Sequence, residues 1–452
     1  MNFMLAFGWA SVMLCLGTLL RAKVPFLRNM LVPACVIAGI LGLVFMNLLS
    51  AAGVGIGTDS AMYTEVVNHL FTISFISISL TSTPKENSGG AKHVMQGATG
   101  MGLVWCLLYA LTPMLGIGVV ALTGKGVSMD SLYGALIPFA FCQGPGQSAA
   151  YGAIFEQYGW QNASVVAITF SAIGFVVAFL VGIPVAKYGI KRGIAKHCGA
   201  IDEKILKGYL KPEEQTEHMV RDTTCNSNIE TLTYHFALIG FCYVLAVGIS
   251  KIFALLPSFL GPSMSSMMFM NGMYAAYLVK WAMKKLKIDF LQENVLQSKI
   301  TGWTADYLVV CAFMAVQVNL IGRWMTPILL VSLLVTVVTA LVCFYFGQRF
   351  GGSNDFERTL GLFGTSTGTV PSGISLVRIV DPQFQTTTPV ELGLMNLVML
   401  FSTPVYLIIL AAASRTITVA WTAAGLGICC VAYLILMKAF RVWGKKTFLW
   451  KG

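Results

Sequence analysis

Long apolar runs separated by short polar breaks fill this chain from end to end. A run of about 18 residues is long enough to cross the hydrocarbon core of a bilayer as a helix. The pattern predicts spans at Met4–Leu20, Leu31–Ala51, Val66–Ser82, Gly97–Thr123 and Val165–Ala186. A polar stretch, Lys187–Thr231, separates these from a second series at Leu232–Ser250, Ser263–Trp281, Ala305–Ile321, Met325–Phe346 and Val390–Ala412. One further run, Thr416–Met437, closes the chain.

Two apolar regions break this rhythm, and each lies between the fourth and fifth spans of its series. The first covers residues 131–163, with Phe141-Cys-Gln-Gly-Pro-Gly-Gln-Ser148 at its centre; the second covers 353–389, with Phe363-Gly-Thr-Ser-Thr-Gly-Thr-Val-Pro-Ser-Gly373. Glycine and proline interrupt a helix and free backbone N–H and C=O groups. In hydrocarbon each unpaired group costs several kcal/mol, so such a break must be packed in protein or face a polar cavity. Two re-entrant hairpins are therefore expected, the first entering from outside and the second from inside. The alternative is a pair of ordinary helices kinked at glycine.

Charge orients the spans through the excess of Lys and Arg on cytoplasmic loops. Arg21, Lys23 and Arg28 follow the first span, Lys85 and Lys92 the third, and Lys187, Lys191, Arg192 and Lys196 the fifth. Lys280, Lys284, Lys285 and Lys287, and then Lys438, Arg441, Lys445, Lys446 and Lys451, mark the same side, while Arg323 and Arg415 fall opposite. The N-terminus is thus expected outside and the C-terminus in the cytoplasm. Five spans per series make the second series inverted relative to the first. The expected fold is an all-α polytopic membrane protein of two inverted five-helix repeats. Residues 1–186 form the first, 187–231 a cytoplasmic linker, 232–412 the second, and 413–452 an extra helix with a basic tail. Inverted repeats with broken helices at mid-membrane are a recurrent plan of secondary transporters.

Composition excludes the main alternatives. The 452 residues are 56% hydrophobic and 11% charged, with mean hydropathy +0.75, too apolar to face water. The net charge of +11 is spread between spans, not gathered as a nucleic-acid patch. Most of the eleven cysteines (Cys15, Cys35, Cys106, Cys142, Cys311 and Cys343 among them) lie in apolar runs without a C-x-x-C, so buried thiols are expected, not a disulfide or zinc framework. Cys198 and Cys225 lie in the polar loop, and the N-terminus lacks the basic start of a cleaved signal. There is no G-x-x-x-x-G-K-[ST] or H-E-x-x-H, which argues against an ATP-driven pump or an enzyme. His69, His93, His197, His218 and His235 all lie away from the middle of the expected spans, so no histidine proton relay is expected. A channel remains the other membrane reading.

Candidate chemistry sits at the two breaks. A half-helix N-terminus offers N–H groups and a positive dipole end to a carboxylate, and carbonyl and hydroxyl oxygens can replace the water shell of Na+. The candidates are Gly144, Gly146, Gln147 and Ser148, and Gly364, Thr365, Ser366, Thr367, Gly368, Thr369 and Ser372. A Ser or Thr here can equally bond its own helix. Asp306 is an intramembrane carboxylate that either holds a cation or reaches the interface. Arg378 either pairs with a substrate carboxylate or with Asp381. Glu156 and Asn162 are expected as caps or turn residues after the first break.

At these residues the sequence resembles the bacterial sodium/glutamate symporter family. Ile154-Phe-Glu-Gln-Tyr-Gly-Trp-Gln-Asn-Ala163 is similar to the family's Glu-x-Tyr-Gly-aromatic-x-Asn-Ala segment, and Gly182-Ile-Pro-Val-Ala-Lys187 to its Gly-x-Pro-Val-Ala. The run ending at Pro371 matches its second glycine-rich hairpin, and Leu70–Thr83 and Ala305–Gln317 resemble helices of the two units. The resemblance covers most of the first ten spans. It implies a homodimer in the inner (plasma) membrane whose hairpin-bearing domains move against a scaffold, importing glutamate with Na+ as coupling ion and no cofactor. The family's first tip is typically Gly-Gly-His-Gly, whereas Gln143-Gly-Pro-Gly-Gln147 stands here, and the last span is additional to the family's ten-helix plan. These departures leave open a proton- or sodium-coupled carrier of another small carboxylate or amino acid.

Overall fold

The structure, a computed structural model, describes residues 2–29, 32–81, 91–195, 197, 223–225, 227–256, 261, 264–265, 267–381 and 385–450. Most of the linker, with Lys196, Cys198 and His218, lies outside these residues, as do Lys85 and Lys451.

All regular structure among the described residues is helical. The first series forms α1 (Asn2–Lys23), α2 (Ala34–Ala51), α3 (Ser60–Leu80) and α4 (Ala91–Thr123), then short α5 (Ile137–Phe141), α6 (Pro145–Gln157) and α7 (Ala163–Lys191). The second forms α8 (Thr231–Phe253), α9 (Met268–Lys285), α10 (Asn294–Met314), α11 (Met325–Gly347), α12 (Asp355–Thr367), α13 (Val370–Val380), α14 (Thr388–Val398) and α15 (Thr403–Ala413). α16 (Val419–Ala439) is the final helix.

Seven of the helices are long and apolar enough to cross a membrane, and α14 with α15, bent by 41°, makes an eighth when taken as one span. The spans expected at 66–82, 263–281 and 305–321 are the helices α3, α9 and α10, which carry more polar residues and fall outside that set. Two boundaries move for identifiable reasons. Glu293 accepts from the N–H groups of Val295 and Leu296, which starts α10 eleven residues before the expected span. Asp59 caps α3 through Met62 N at 2.9 Å, which carries His69 to mid-helix, where its Nδ1 meets Tyr243 Oη at 2.7 Å.

The helices pack as two compact units, and each unit draws on both series. Unit 1 comprises 1–25, 33–85 and 207–315, hence α1–α3 and α8–α10; unit 2 comprises 26–32, 86–206 and 316–452, hence everything else. In unit 1 small residues let backbones approach, as membrane helices require in place of a hydrophobic driving force. Gly39 and Gly42 of α2 lie against Phe313 and Met314 of α10, and Gly272 of α9 lies against Ile76 of α3. Ile76, Leu80, Ile239, Cys242, Ala275 and Met283 close its core. Ser77 crosses it, donating to the backbone O and Oε1 of Gln297 at 2.9 and 2.7 Å.

Candidate functional site

Both interrupted regions fold as two helices around a break, and both lie in unit 2. In the first, Asp130 caps the entering turn through Leu132 N at 2.8 Å, α5 runs to Phe141, and the chain breaks at Cys142–Gly144. Gly144 has φ +82°, in the region that L side chains avoid, and Pro145 follows at the first position of α6, where its missing N–H costs nothing. The two arms pack together: the rings of Phe139 and Tyr151 stack at 3.8 Å. In the last turn of α6 Glu156 accepts from Ser164 N at 2.9 Å, and beyond that helix Asn162 takes a left-handed φ of +56°, so both shape the turn into α7.

The second region begins where Asp355 accepts from the N–H groups of Gly351 and Gly352 at 3.0 and 3.1 Å. α12 runs to Thr367, Gly368 and Thr369 break it, and α13 restarts with Pro371 in its first turn. The arms cross closely enough that a Cβ on Gly364 would lie 2.8 Å from Gly373 Cα.

The two breaks touch. A Cβ on Gly144 would collide with the Thr369 methyl and lie 3.2 Å from Gly368 O, and Cys142 Sγ points at Ser366 O, 3.9 Å away. α7 backs the junction: a Cβ on Gly174 would sit 2.6 Å from Thr367 O. The N-termini of α6 and α13 thus start from one small region, each with first-turn N–H groups that have no acceptor in their own helix.

The candidate side chains divide by what they bond. Ser148 donates to Gly144 O at 3.0 Å, and Thr365 and Thr367 donate to Gly361 O and Phe363 O at 2.8 Å, so these hydroxyls serve their own helices. Thr369 Oγ1 and Ser372 Oγ are 3.3 Å apart. Gln147 Oε1 and Ser366 Oγ, with Ser171 Oγ of α7, are buried without a hydrogen-bond partner among the described residues. Gly146 is buried in the first turn of α6. Arg378 is exposed on α13, and the Asp381 carboxylate accepts from Gln385 N and Thr386 N at 2.8 Å and from Thr386 Oγ1 at 2.7 Å. Asp306 belongs to unit 1, on α10 beside Cys35 of α2.

Sequence reasoning missed two sets of partners. Gln143, at the first break, accepts from Tyr109 Oη at 3.0 Å and donates to Tyr406 Oη, while Trp105 Nε1 donates to Cys142 O at 2.9 Å. Trp105 and Tyr109 are four apart on α4, one helical face, and that spacing was the available signal. The second set is a buried ion cluster at the foot of the second hairpin, made by Asp355, Arg358 and Glu391, none more than 1% exposed. Glu391, a carboxylate just inside an expected span, was its visible trace.

The sequence matches a known family. The sodium/glutamate symporter family model matches residues 1–386, more than four-fifths of the chain. The chain belongs to the sodium/glutamate symporter family. Relatives include the sodium/glutamate symporters of Escherichia coli (strain K12) and Shigella flexneri, each 23% identical over 380 residues, covering 83% of this chain and 88% of theirs. The family match takes in both breaks and ends before α14, so Tyr406, Glu391 and all of α16 lie beyond it. Membership places the chain among transporters.

Proposed function

We propose that this protein is a sodium-coupled secondary symporter that imports glutamate or a closely related acidic solute. The observation that carries the reading is the contact of two polar breaks within one unit, at Gly144 and Thr369, in a chain whose family is that of sodium/glutamate symporters. The solute carboxylate takes the first-turn N–H groups of α6 and α13. Na+, a hard cation, takes oxygens, and Gln147 Oε1 and Ser366 Oγ are buried oxygens at the breaks without a hydrogen-bond partner among the described residues.

In this reading the paired helices of each break are re-entrant hairpins and the two series are inverted repeats. The packing supports it: each series contributes its first three helices to unit 1 and its remaining spans, with the hairpin between them, to unit 2. Unit 2 is the moving part and unit 1 the scaffold of a homodimer in the inner membrane, N-terminus outside. Because Na+ with monoanionic glutamate is electroneutral, a further cation is needed to draw on the membrane potential, about 2.3 kcal/mol per elementary charge per 100 mV.

Uptake of labelled glutamate into proteoliposomes, with and without an inward sodium gradient, tests the reading. Sodium-dependent accumulation is expected. Absence of sodium-dependent uptake of every acidic solute tried would overturn it. A second reading, a carrier of another small carboxylate or amino acid, is favoured by the Gln143 tip and its tyrosine partners; competition by unlabelled solutes in the same assay separates the two.

A further inference from the structure

The last helix and the tail after it carry a feature outside the family match. On α16 the residues Ile428, Val431, Ile435 and Lys438 follow one another at helical spacing, so they share a face. The first three are among the most exposed apolar side chains of the chain, at 70, 57 and 62%. With Ala424, Gly427 and Ala432 they make an open apolar face along α16, and Lys438 follows Ile435 by three residues at its end.

Just past Lys438 the chain turns off the helix at Arg441, φ +56°. The tail is then pinned. Gly444 N donates to Arg349 O at 2.9 Å, Thr447 N to Gln348 O at 2.9 Å, and Thr447 Oγ1 to Asp355 Oδ2 at 2.7 Å. Trp443 packs on Phe346, Phe448 on Phe356, and Trp450 on Phe344. With its aromatic residues turned inward, the tail leaves Lys438, Arg441, Lys445 and Lys446 exposed. Tyr188 donates to Trp450 O at 2.5 Å, which brings the end of α7 and exposed Lys191 to the same end of the unit. No exposed acid offsets them from the nearby hairpin foot: Asp355, Glu357, Asp381 and Glu391 are each at most 1% exposed. The exposed Asp130 and Glu156 belong to the opposite end, where α7 and α11 begin.

We propose that this surface binds an anionic phospholipid, with an acyl chain along the exposed apolar face of α16 and the headgroup phosphate on Lys438, Arg441, Lys445 and Lys446. An apolar helix face that ends in a fixed cluster of cations complements a molecule with an apolar chain and an anionic head. A basic cluster directly following a membrane helix is the arrangement that attracts anionic headgroups, each cation adding about fivefold to the affinity. The tail also touches Asp355 at the hairpin foot, so a bound lipid would stiffen the element that carries Thr369.

Thermal unfolding of the full chain in neutral detergent tests this without any transport step, so its outcome is independent of the solute reading. Titrated phosphatidylglycerol is expected to raise Tm, and phosphatidylcholine and inorganic phosphate are expected to leave it unchanged. The combined Lys438→Gln, Arg441→Gln, Lys445→Gln, Lys446→Gln variant is expected to keep its Tm in phosphatidylcholine and to need roughly 600-fold more phosphatidylglycerol. Ile428→Trp with Val431→Trp, which crowds the apolar face, is expected to blunt the same response. An unchanged response in the quadruple variant would overturn the proposal. So would a full response to phosphate alone, which indicates a free-anion site. If this double-Trp variant keeps its lipid response but turns a dimer into a monomer by light scattering, the face holds a second copy and the proposal fails.

Discussion

Arg358 and Glu391 form a two-point pair, Nε to Oε2 and Nη2 to Oε1 both at 2.6 Å, with neither side chain exposed. Arg358 Nη1 also reaches Asp355 Oδ1 at 2.9 Å, and Nη2 reaches His93 O at 3.2 Å. One guanidinium therefore ties the foot of the second hairpin to α14 and to the start of α4. Glu391 is further held by Thr387 Oγ1 at 2.7 Å, and Asp355 by the tail through Thr447. The second hairpin is anchored at its foot by charge, while its tip is held by backbone close approach.

The anchor predicts an asymmetric response to mutation. Removing one partner of a buried pair leaves an uncompensated charge and typically costs about 3–5 kcal/mol. Arg358→Met is expected to lose that much, because two carboxylates are stranded. Glu391→Gln is expected to lose less, because Asp355 still faces the arginine. Gly97→Ala reaches the same cluster without touching a charge, since its Cβ would meet Glu391 Oε2 and Arg358 Nη2. Tm in detergent ranks the three, with Arg358→Met lowest; an Arg358→Met variant as stable as the parent would show that the cluster anchors nothing.

The contact between the breaks predicts coupling. Gly144→Ala is strained twice, by a φ of +82° and by the Thr369 methyl, and is expected to cut the initial uptake rate by about tenfold. Thr369→Ser removes that methyl and keeps the hydroxyl. In the Gly144→Ala background it is expected to restore part of the rate, and in the parent to change it little. The backbone strain remains, so the rescue stays incomplete. Strict additivity of the two changes in sodium-driven uptake would mean that the breaks act independently.

Much of this fold could be read from residues alone, because span length and broken runs are local properties. The apolar runs located every helix that passes a membrane-length test, and the Gly–Pro clusters located both breaks to within a few residues. Where polar residues begin a helix, hydropathy misplaces it, and α10 starts at Asn294 for that reason. Pairing was not legible. Nothing local in Phe141–Ser148 names Thr369 as its neighbour, and Arg358 meets Glu391, 33 positions further along the chain. The fate of the tip hydroxyls also depended on rotamers: Thr365 and Thr367 turned back to their helix, whereas Ser366 between them did not.

Gln143 predicts a shared loss. Its amide oxygen accepts from Tyr109 and its amide nitrogen donates to Tyr406, so each tyrosine fixes one end of the same group. Tyr406→Phe or Tyr109→Phe leaves half of the amide unpaired, at about 1–3 kcal/mol. Each is expected to raise KM for the acidic solute by about tenfold, and the double variant by much less than the product of the two. Multiplying effects would place the tyrosines in separate roles. Uptake kinetics at saturating sodium measure all three.

Gln147 offers the sharpest separation of structure from transport. Its Oε1 is buried without a hydrogen-bond partner among the described residues, a state that costs about 1–3 kcal/mol in a folded protein. Gln147→Leu keeps a similar volume and removes that oxygen. On stability alone the variant is expected to equal or exceed its parent in Tm. If the oxygen serves Na+, the same change is expected to raise the sodium concentration for half-maximal uptake by tenfold or more, a loss of about 1.4 kcal/mol. Gln147→Glu keeps an oxygen at the same place and adds a charge that favours the cation when ionised, so it is expected to need no more sodium than the parent. Stability and sodium affinity moving in opposite directions is the signature of a buried oxygen kept for an ion. If Gln147→Leu took up glutamate with unaltered sodium dependence, the ion would have to draw its oxygens from elsewhere in the junction.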